Sequence, residues 1–276
     1  MAATQVTPTQ PTVVAGQSSA LTPRTVLVCQ NLEKYYGTRG NITKALDGIN
    51  LSVARGEFIA IMGPSGSGKT TLLNCISTID QASAGHIFID DQELSSLRGA
   101  ELSAFRRDRL GFIFQDANLL DSLTARENIA LSLTIGHVRV QEVLERVENV
   151  AKLLQISEVL DKFPYEMSGG QRQRVAAARA IVTNPSLVLA DEPTGALDSK
   201  NARTLLESLE NLNRNGATIA MVTHDSYAAS YAHRVIFIKD GRIFNEIVRG
   251  EKPRKQFFDQ IMDVVSFLGG EGADVQ

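Results

Sequence analysis

The eight residues Gly63-Pro64-Ser65-Gly66-Ser67-Gly68-Lys69-Thr70 restrict the possible folds more than any other stretch of this chain. They have the form G-x-x-x-x-G-K-[ST]. They stand between a β-rich apolar run, "EFIAIM", and a helical one, "TTLLNCIS". Glycines here let the backbone wrap an anion without a Cβ in the way, and a helix N-terminus adds partial positive charge. The motif therefore predicts a strand that feeds a helix through a phosphate-binding loop. Lys69 is placed to reach β- and γ-phosphates, Thr70 to bind Mg²⁺ through its hydroxyl, and Thr71 to hydrogen-bond phosphate.

The rest of the chain agrees with an α/β fold. "TVLVC", "NLSV", "LGFIF", "SLVLA", "ATIAMVT" and "RVIFI" are short apolar runs set between helical patterns, as buried strands are. Asp240-Gly241 between apolar runs marks a hairpin. From about residue 92 to 164 the β signal lapses except at Gly111 to Gln115, which predicts an inserted helical subdomain. Within it, Thr124-Ala125-Arg126-Glu127 is a capping-box sequence. Val140, Val143, Leu144, Val147, Val150, Ala151 and Leu154 recur at helical spacing. Residues 251–276 read as a C-terminal helix and a frayed tail, with Phe257, Phe258, Ile261, Met262 and Val265 on one face. Residues 1–24, rich in Thr, Gln, Ser and Pro, read as a disordered tail ahead of a folded domain spanning 25–250.

Further polar residues fall where strands end. "SLVLADEP" closes a strand on Asp191 and Glu192, so both can face a nucleotide crevice. Asp191 would hold Mg²⁺ through water, and Glu192 would orient or deprotonate an attacking water. Gln115 follows "GFIF" and His224 follows "IAMVT". Gln115 would meet the metal and the water, and His224 the γ-phosphate. Further along, "EMSGGQRQR" puts Ser168, Gly169 and Gly170 at a second helix start suited to phosphate, but with no lysine or carboxylate pair of its own. It is half a site.

Taken in order, "GPSGSGKT", the Gln115 loop, "MSGGQ", "LVLADE", the "ALD" loop ending at Asp198, and His224 resemble the ATP-binding subunits of ABC transporters. The resemblance runs from about Val26 to Gly250. It implies a P-loop NTPase cassette, with a mixed-sheet core, a β-rich N-terminal part and the helical insertion. It implies that two copies pair head to tail, so that Ser168, Gly169, Gly170, Gln171 and Asp198 serve the partner's ATP. It also implies an aromatic that stacks on adenine. Tyr36 matches that position best by its distance from Ala45-Leu46, ahead of Tyr35. Met167 stands where the family more often has leucine, a change that preserves apolarity.

The wording of "STIDQASAG", "MVTHDSYAASYAHRVIFIKDG" and "QFFDQIM" is similar to the bacitracin and lantibiotic resistance subgroup, within the branch of lipoprotein-release and macrolide-efflux ATPases. That subgroup drives a separate membrane permease, and some members signal through a membrane histidine kinase. A haem, lipoprotein or macrolide exporter subunit is the alternative. The soluble ABC ATPases of DNA repair carry a long coiled coil inside the cassette, and those of translation carry two cassettes. This chain has no sustained heptads and one cassette.

Net charge of −3 argues against a broad grip on nucleic acid. No apolar run nears the ~18 residues that span a bilayer. The first residues lack both a charge before Arg24 and a continuous apolar core, so they do not read as a signal peptide. The expected place is the cytoplasmic face of a bacterial membrane, held there by the permease. Cys29 and Cys75 lie in apolar contexts without metal-ligand spacing and read as packed thiols.

Overall fold

The computed structural model describes residues 25–38 and 41–270; the stretch read as a disordered tail lies outside them. The chain opens with two long strands, β1 (Thr25–Thr38) and β2 (Asn41–Ala54), followed by β3 (Phe58–Met62) and helix α1 (Lys69–Ile76). Next come β4 (Ala84–Ile89), β5 (Gln92–Glu93), α2 (Gly99–Arg109) and β6 (Leu110–Ile113). Helices α3 (Ala125–Ile135), α4 (Val140–Leu153) and α5 (Gly169–Ile181) then lead to β7 (Leu187–Asp191) and α6 (Ser199–Arg214). The last elements are β8 (Ile219–Val222), α7 (Ser226–Ala229), β9 (Arg234–Lys239), β10 (Arg242–Val248) and α8 (Arg254–Gly270).

Two sheets result. The larger runs β10-β9-β3-β8-β7-β6, parallel from β9 to β6 with β10 as an antiparallel edge. The smaller is antiparallel, in the order β2-β1-β4-β5. Asp240 (φ 50°) and Gly241 (φ 75°) turn the β9–β10 hairpin, as a two-residue turn with both φ positive should.

Every residue of β3 is buried, which is why it reads as an unbroken apolar run. Strand alternation divides that run between two cores. Phe58, Ala60 and Met62 join the core under α3 to α8, with Ile129, Val147, Val175, Leu209 and Phe257. Ile59 and Ile61 join the other, with Leu72 and Leu73 of α1 and Leu27, Leu32 and Leu46 of the antiparallel sheet. Cys29 and Cys75 are buried free thiols in this second core, and burial pushes the Cys29 thiol to about 12 and the Cys75 thiol to about 11.

Some expected faces differ. Val147, Ala151 and Leu154 are buried as the helical spacing predicts, but Val140 and Leu144 are exposed. Val143, which lies between them in the chain, packs partly on the core with Val150, so the covered face of α4 is offset toward that side. On α8, Phe257 and Ile261 are buried while Met262 faces outward. The packed side of α8 continues through Val264, Val265 and Leu268. That stripe turns away from Met262, because i, i+4 and i+7 share a helix face and i+5 does not. The sequence also hid β4, and showed only fragments of β1 and β2. Register shifts interrupt the β1–β2 pairing at four places, so the two-residue alternation that marks a strand is repeatedly broken.

Candidate functional site

The phosphate loop joins β3 to α1 at the C-terminal end of the parallel strands. Its backbone is glycine-dependent in a measurable way. A Cβ on Gly63 (φ 150°) would fall 2.0 Å from Ile238 O, and one on Gly68 (φ 104°) would fall 2.4 Å from Ala45 O. The loop is thus wedged between β9 and β2. Pro64, Ser65, Gly66 and Thr70 are exposed along its rim. Lys69 Nζ donates back to Gly63 O at 2.9 Å and Pro64 O at 2.8 Å, closing the loop with its own cation. Burial holds the Lys69 pKa below the ordinary lysine value, against the opposing pull of Glu192 and Asp191.

Asp191 is the last residue of β7, and Glu192 follows it, as the strand-end reading expects. Burial pushes the Asp191 carboxyl above its usual value, with Glu192 reinforcing and Lys69 opposing the shift. The three side chains therefore form one electrostatic cluster. Glu192 adopts φ 46°, its N–H held by Val222 O at 2.9 Å. His224 Nδ1 lies 2.9 Å from Glu192 Oε1, and the His224 backbone N–H donates to Oε2 at 3.4 Å. Strand register brings these together, since β7 and β8 are adjacent and parallel.

Among the described residues three buried side-chain atoms have no hydrogen-bonding partner: Arg174 Nε on α5 and, at this site, Ser67 Oγ and Asp191 Oδ1. A buried acceptor or hydroxyl left in that state is costly unless a ligand completes it. A phosphate oxygen suits Ser67 Oγ, and a hydrated divalent cation suits Asp191 Oδ1. The described residues hold no cluster of three or more His, Cys, Asp or Glu. Mg²⁺ takes one or two protein oxygens together with phosphates and water, so the hydroxyl of Thr70 and the carboxylate of Asp191 are donors of the right kind for it.

The remaining expected residues sit as follows. Gln115 lies at the exposed start of the loop after β6, its Nε2 so close over Gly195 that a Cβ there would be 2.9 Å away. Gln115, Asp116, Leu119, Arg172 and Leu197 line a groove of about 260 Å³. Leu119 packs partly on the core, whereas Leu120 is exposed. Tyr36 donates its hydroxyl to Asp80 Oδ2 at 2.7 Å and neighbours Thr71 beside the phosphate loop. Tyr35 instead bonds Glu33. Ser168 is the N-cap of α5, in a reciprocal box. Its Oγ accepts from Gln171 N at 3.2 Å, while Gln171 Oε1 accepts from Ser168 N at 2.9 Å. Gly169 is half-buried and Gly170 buried in the turn that follows. Met167 is buried in the core behind Ser168. Asp198 caps α6.

Sequence reasoning passed over the residues that hold these loops in place. Lys34 Nζ reaches Asp80 Oδ1 at 2.6 Å and lies 4.8 Å from the centre of the Tyr36 ring. Gln173 Nε2 donates to Phe114 O at 2.6 Å, and Arg179 donates to Asn118 O at 2.7 Å and Ala117 O at 3.0 Å. The Gln115 loop thus hangs from α5. The available signal was Gln173 and Arg179 on a helix otherwise rich in alanine.

With this geometry in place, comparison with known proteins is decisive. Residues 46–195 match the family described as ABC transporter. The chain belongs to that family. It is an ATP-binding and ATP-hydrolysing cassette of the ABC transporter class. It is 52% identical over 249 residues to the uncharacterized ABC transporter ATP-binding protein YvcR of Bacillus subtilis, covering 89% of this chain and 96% of that one. It is also 52% identical to the bacitracin export ATP-binding protein BceA of Halalkalibacterium halodurans, covering 89% and 97%. A solved dimer of the cassette MJ0796, in a post-hydrolysis state bound to ADP and Pi, superposes with a TM-score of 0.73 at 40% identity, covering 80% of this chain and 98% of that one. The ABC cassette fold expected from the sequence is the fold observed. None of the described helices is long and apolar enough to cross a membrane.

Proposed function

We propose that two copies of this chain enclose ATP at shared sites and power a separate membrane permease that confers resistance to bacitracin- or lantibiotic-type peptides. The catalytic half of each site is the loop from Gly63 to Thr71 with Asp191, Glu192, Gln115 and His224. Tyr36 supplies an aromatic face for adenine. The other half comes from the second copy: the start of α5 at Ser168 to Gln171, and the Asp198 loop. The observation that carries the shared-site reading is the makeup of the α5 start. It offers a capped helix N-terminus and glycines, yet no lysine or acidic pair accompanies it.

Within such a site the chain's own groups divide the work. Lys69 exchanges its bonds to Gly63 O and Pro64 O for phosphate oxygens. Glu192 accepts the proton of the attacking water. With His224 Nδ1 turned to Glu192, His224 Nε2 is left to meet the terminal phosphate. Thr70 and Asp191, with Gln115 near, would hold Mg²⁺, which would supply charge neutralisation at the phosphates. Loss of the terminal phosphate removes the bridge between the copies, which makes the pair an ATP-driven clamp.

The peptide assignment rests on the similarity to BceA across nearly the whole of both chains. Attachment to the inner face of the membrane through the permease belongs to the same proposal, and the resemblance to the peptide-resistance subgroup extends it to signalling through a membrane histidine kinase. Deleting the gene should lower the inhibitory concentration of bacitracin or a lantibiotic severalfold and leave macrolide sensitivity unchanged. Growth assays across a panel of cell-wall antibiotics and macrolides check this. A change confined to macrolides would move the chain to the macrolide-exporter alternative.

A further inference from the structure

We propose that Asn201 is a positioning residue. It joins the Asp198 loop to the start of α5, so that one side chain sets both segments offered to the partner's ATP. The proposal rests on the shared-site reading above.

Asn201 stands in the first turn of α6, three residues after Asp198. Its backbone N–H donates to Asp198 Oδ1 at 2.8 Å, which is ordinary helix capping. Its side chain does more. Nδ2 donates to Asp198 Oδ2 at 2.7 Å, so both carboxylate oxygens are held by one residue. On its other side the same amide lies against Gly170. A Cβ on Gly170 would come 2.2 Å from Asn201 Oδ1, 2.5 Å from its Cγ and 2.8 Å from its Cβ. The nearest groups to that missing Cβ are all atoms of Asn201, and no phosphate need be invoked to explain the glycine. Gly169, by contrast, has only ordinary contacts, with Leu197 at 3.8 Å and Arg172 at 3.9 Å from a Cβ placed there. The two glycines thus divide the work. Gly169 leaves room at the helix start, and Gly170 receives the Asn201 amide.

Neither the cap nor the packing requires this arrangement. Asp198 Oδ1 caps α6 by accepting the Asn201 backbone N–H, which any residue at 201 but proline would supply, and a smaller residue at 201 would spare Gly170 its close contact. What the amide adds is a steric link: bonded to Asp198 and packed on Gly170, it sets how closely the Asp198 loop can approach the α5 start, which presents Ser168.

The test uses the full chain carrying Glu192→Gln, which should trap ATP-bound dimers, with dimer formation followed by light scattering during ATP titration. Adding Asn201→Asp keeps the shape of the side chain but sets an acceptor against the Asp198 carboxylate. It should raise the ATP concentration for half-dimerisation about tenfold, the loss of one charged hydrogen bond. ATP binding by the dilute monomer should be unchanged, since no atom of Asn201 belongs to that chain's own phosphate loop. Gly170→Ala should abolish dimerisation when Asn201 is present, and should add nothing to the defect of Asn201→Gly. Monomer melting should follow the same pattern, with Gly170→Ala destabilising and the paired variant rescued. An unshifted midpoint in Asn201→Asp, or an equal cost of Gly170→Ala in both backgrounds, would overturn the link. If the Glu192→Gln parent stays monomeric with ATP, the shared-site reading itself is wrong and the positioning role falls with it.

Discussion

Glu192 occupies the left-handed backbone region at φ 46°, immediately after a buried strand. For a non-glycine residue this costs about 1–3 kcal/mol, and it persists only where surrounding bonds over-determine it. Val222 O and Gly195 N supply those bonds. The strain turns the carboxylate toward His224. Asp80 shows the same dependence on neighbours without strain. Hydrogen bonds from Lys34, and then Tyr36, hold its carboxyl below the usual value. A depressed carboxylate contributes stability that is fully present above its unfolded pKa, near 3.9, and is lost as pH falls through the lower folded value. Asp80→Asn should therefore cost roughly 1.5–3 kcal/mol at pH 7, the value of a charged hydrogen bond. The deficit should shrink as pH falls below about 4. Urea unfolding of both proteins across that pH range checks the sign.

At the scale of elements, α3 is governed by its first turn. Thr124 Oγ1 accepts from Glu127 N at 3.3 Å, and Glu127 Oε2 accepts from Thr124 N at 2.8 Å. The helix so fixed carries Asn128, which is fully buried and donates to Leu120 O, Leu123 O and Thr124 O. The far end of the Gln115 loop is thereby anchored to α3, as its near end is to α5. Thr124→Ala should lower stability by about 1 kcal/mol. The urea midpoint should drop with an unchanged slope, because the cap shifts stability without altering the surface exposed on unfolding.

At the scale of the whole molecule, the large sheet separates two cores and delivers the ends of β3, β6, β7 and β8 to one edge. Phosphate loop, Gln115, Asp191, Glu192 and His224 all follow from that delivery. The α5 start follows the helical insertion in the chain and lines the groove beside Gln115 without a lysine or acidic pair of its own. If it serves a second copy, Ser168→Arg and Lys69→Ala should each inactivate the homodimer. Mixed in equal amounts, half of the dimers are heterodimers with one intact site. Activity should then return to about a quarter of the unmutated level. ATPase measurement before and after mixing checks this.

Motif spacing alone was enough to bring the residues of the proposed catalytic half to the strand ends where the structure has them. A phosphate loop between a strand and a helix, an acidic pair at a strand end, and polar residues ending two further strands are local patterns, and local patterns survive in sequence. Capping at Thr124 was legible for the same reason, since its partner Glu127 is three residues away. What only the tertiary structure decided is which distant groups meet. The broken alternation of β1 and β2 concealed their pairing. The bond from Lys34 to Asp80 and the hold of Gln173 on Phe114 join residues far apart in the chain. The Asn201 amide filling the space beside Gly170 does so too. No periodicity encodes such contacts, because they depend on how helices and sheets pack once hydrophobic burial has brought them together.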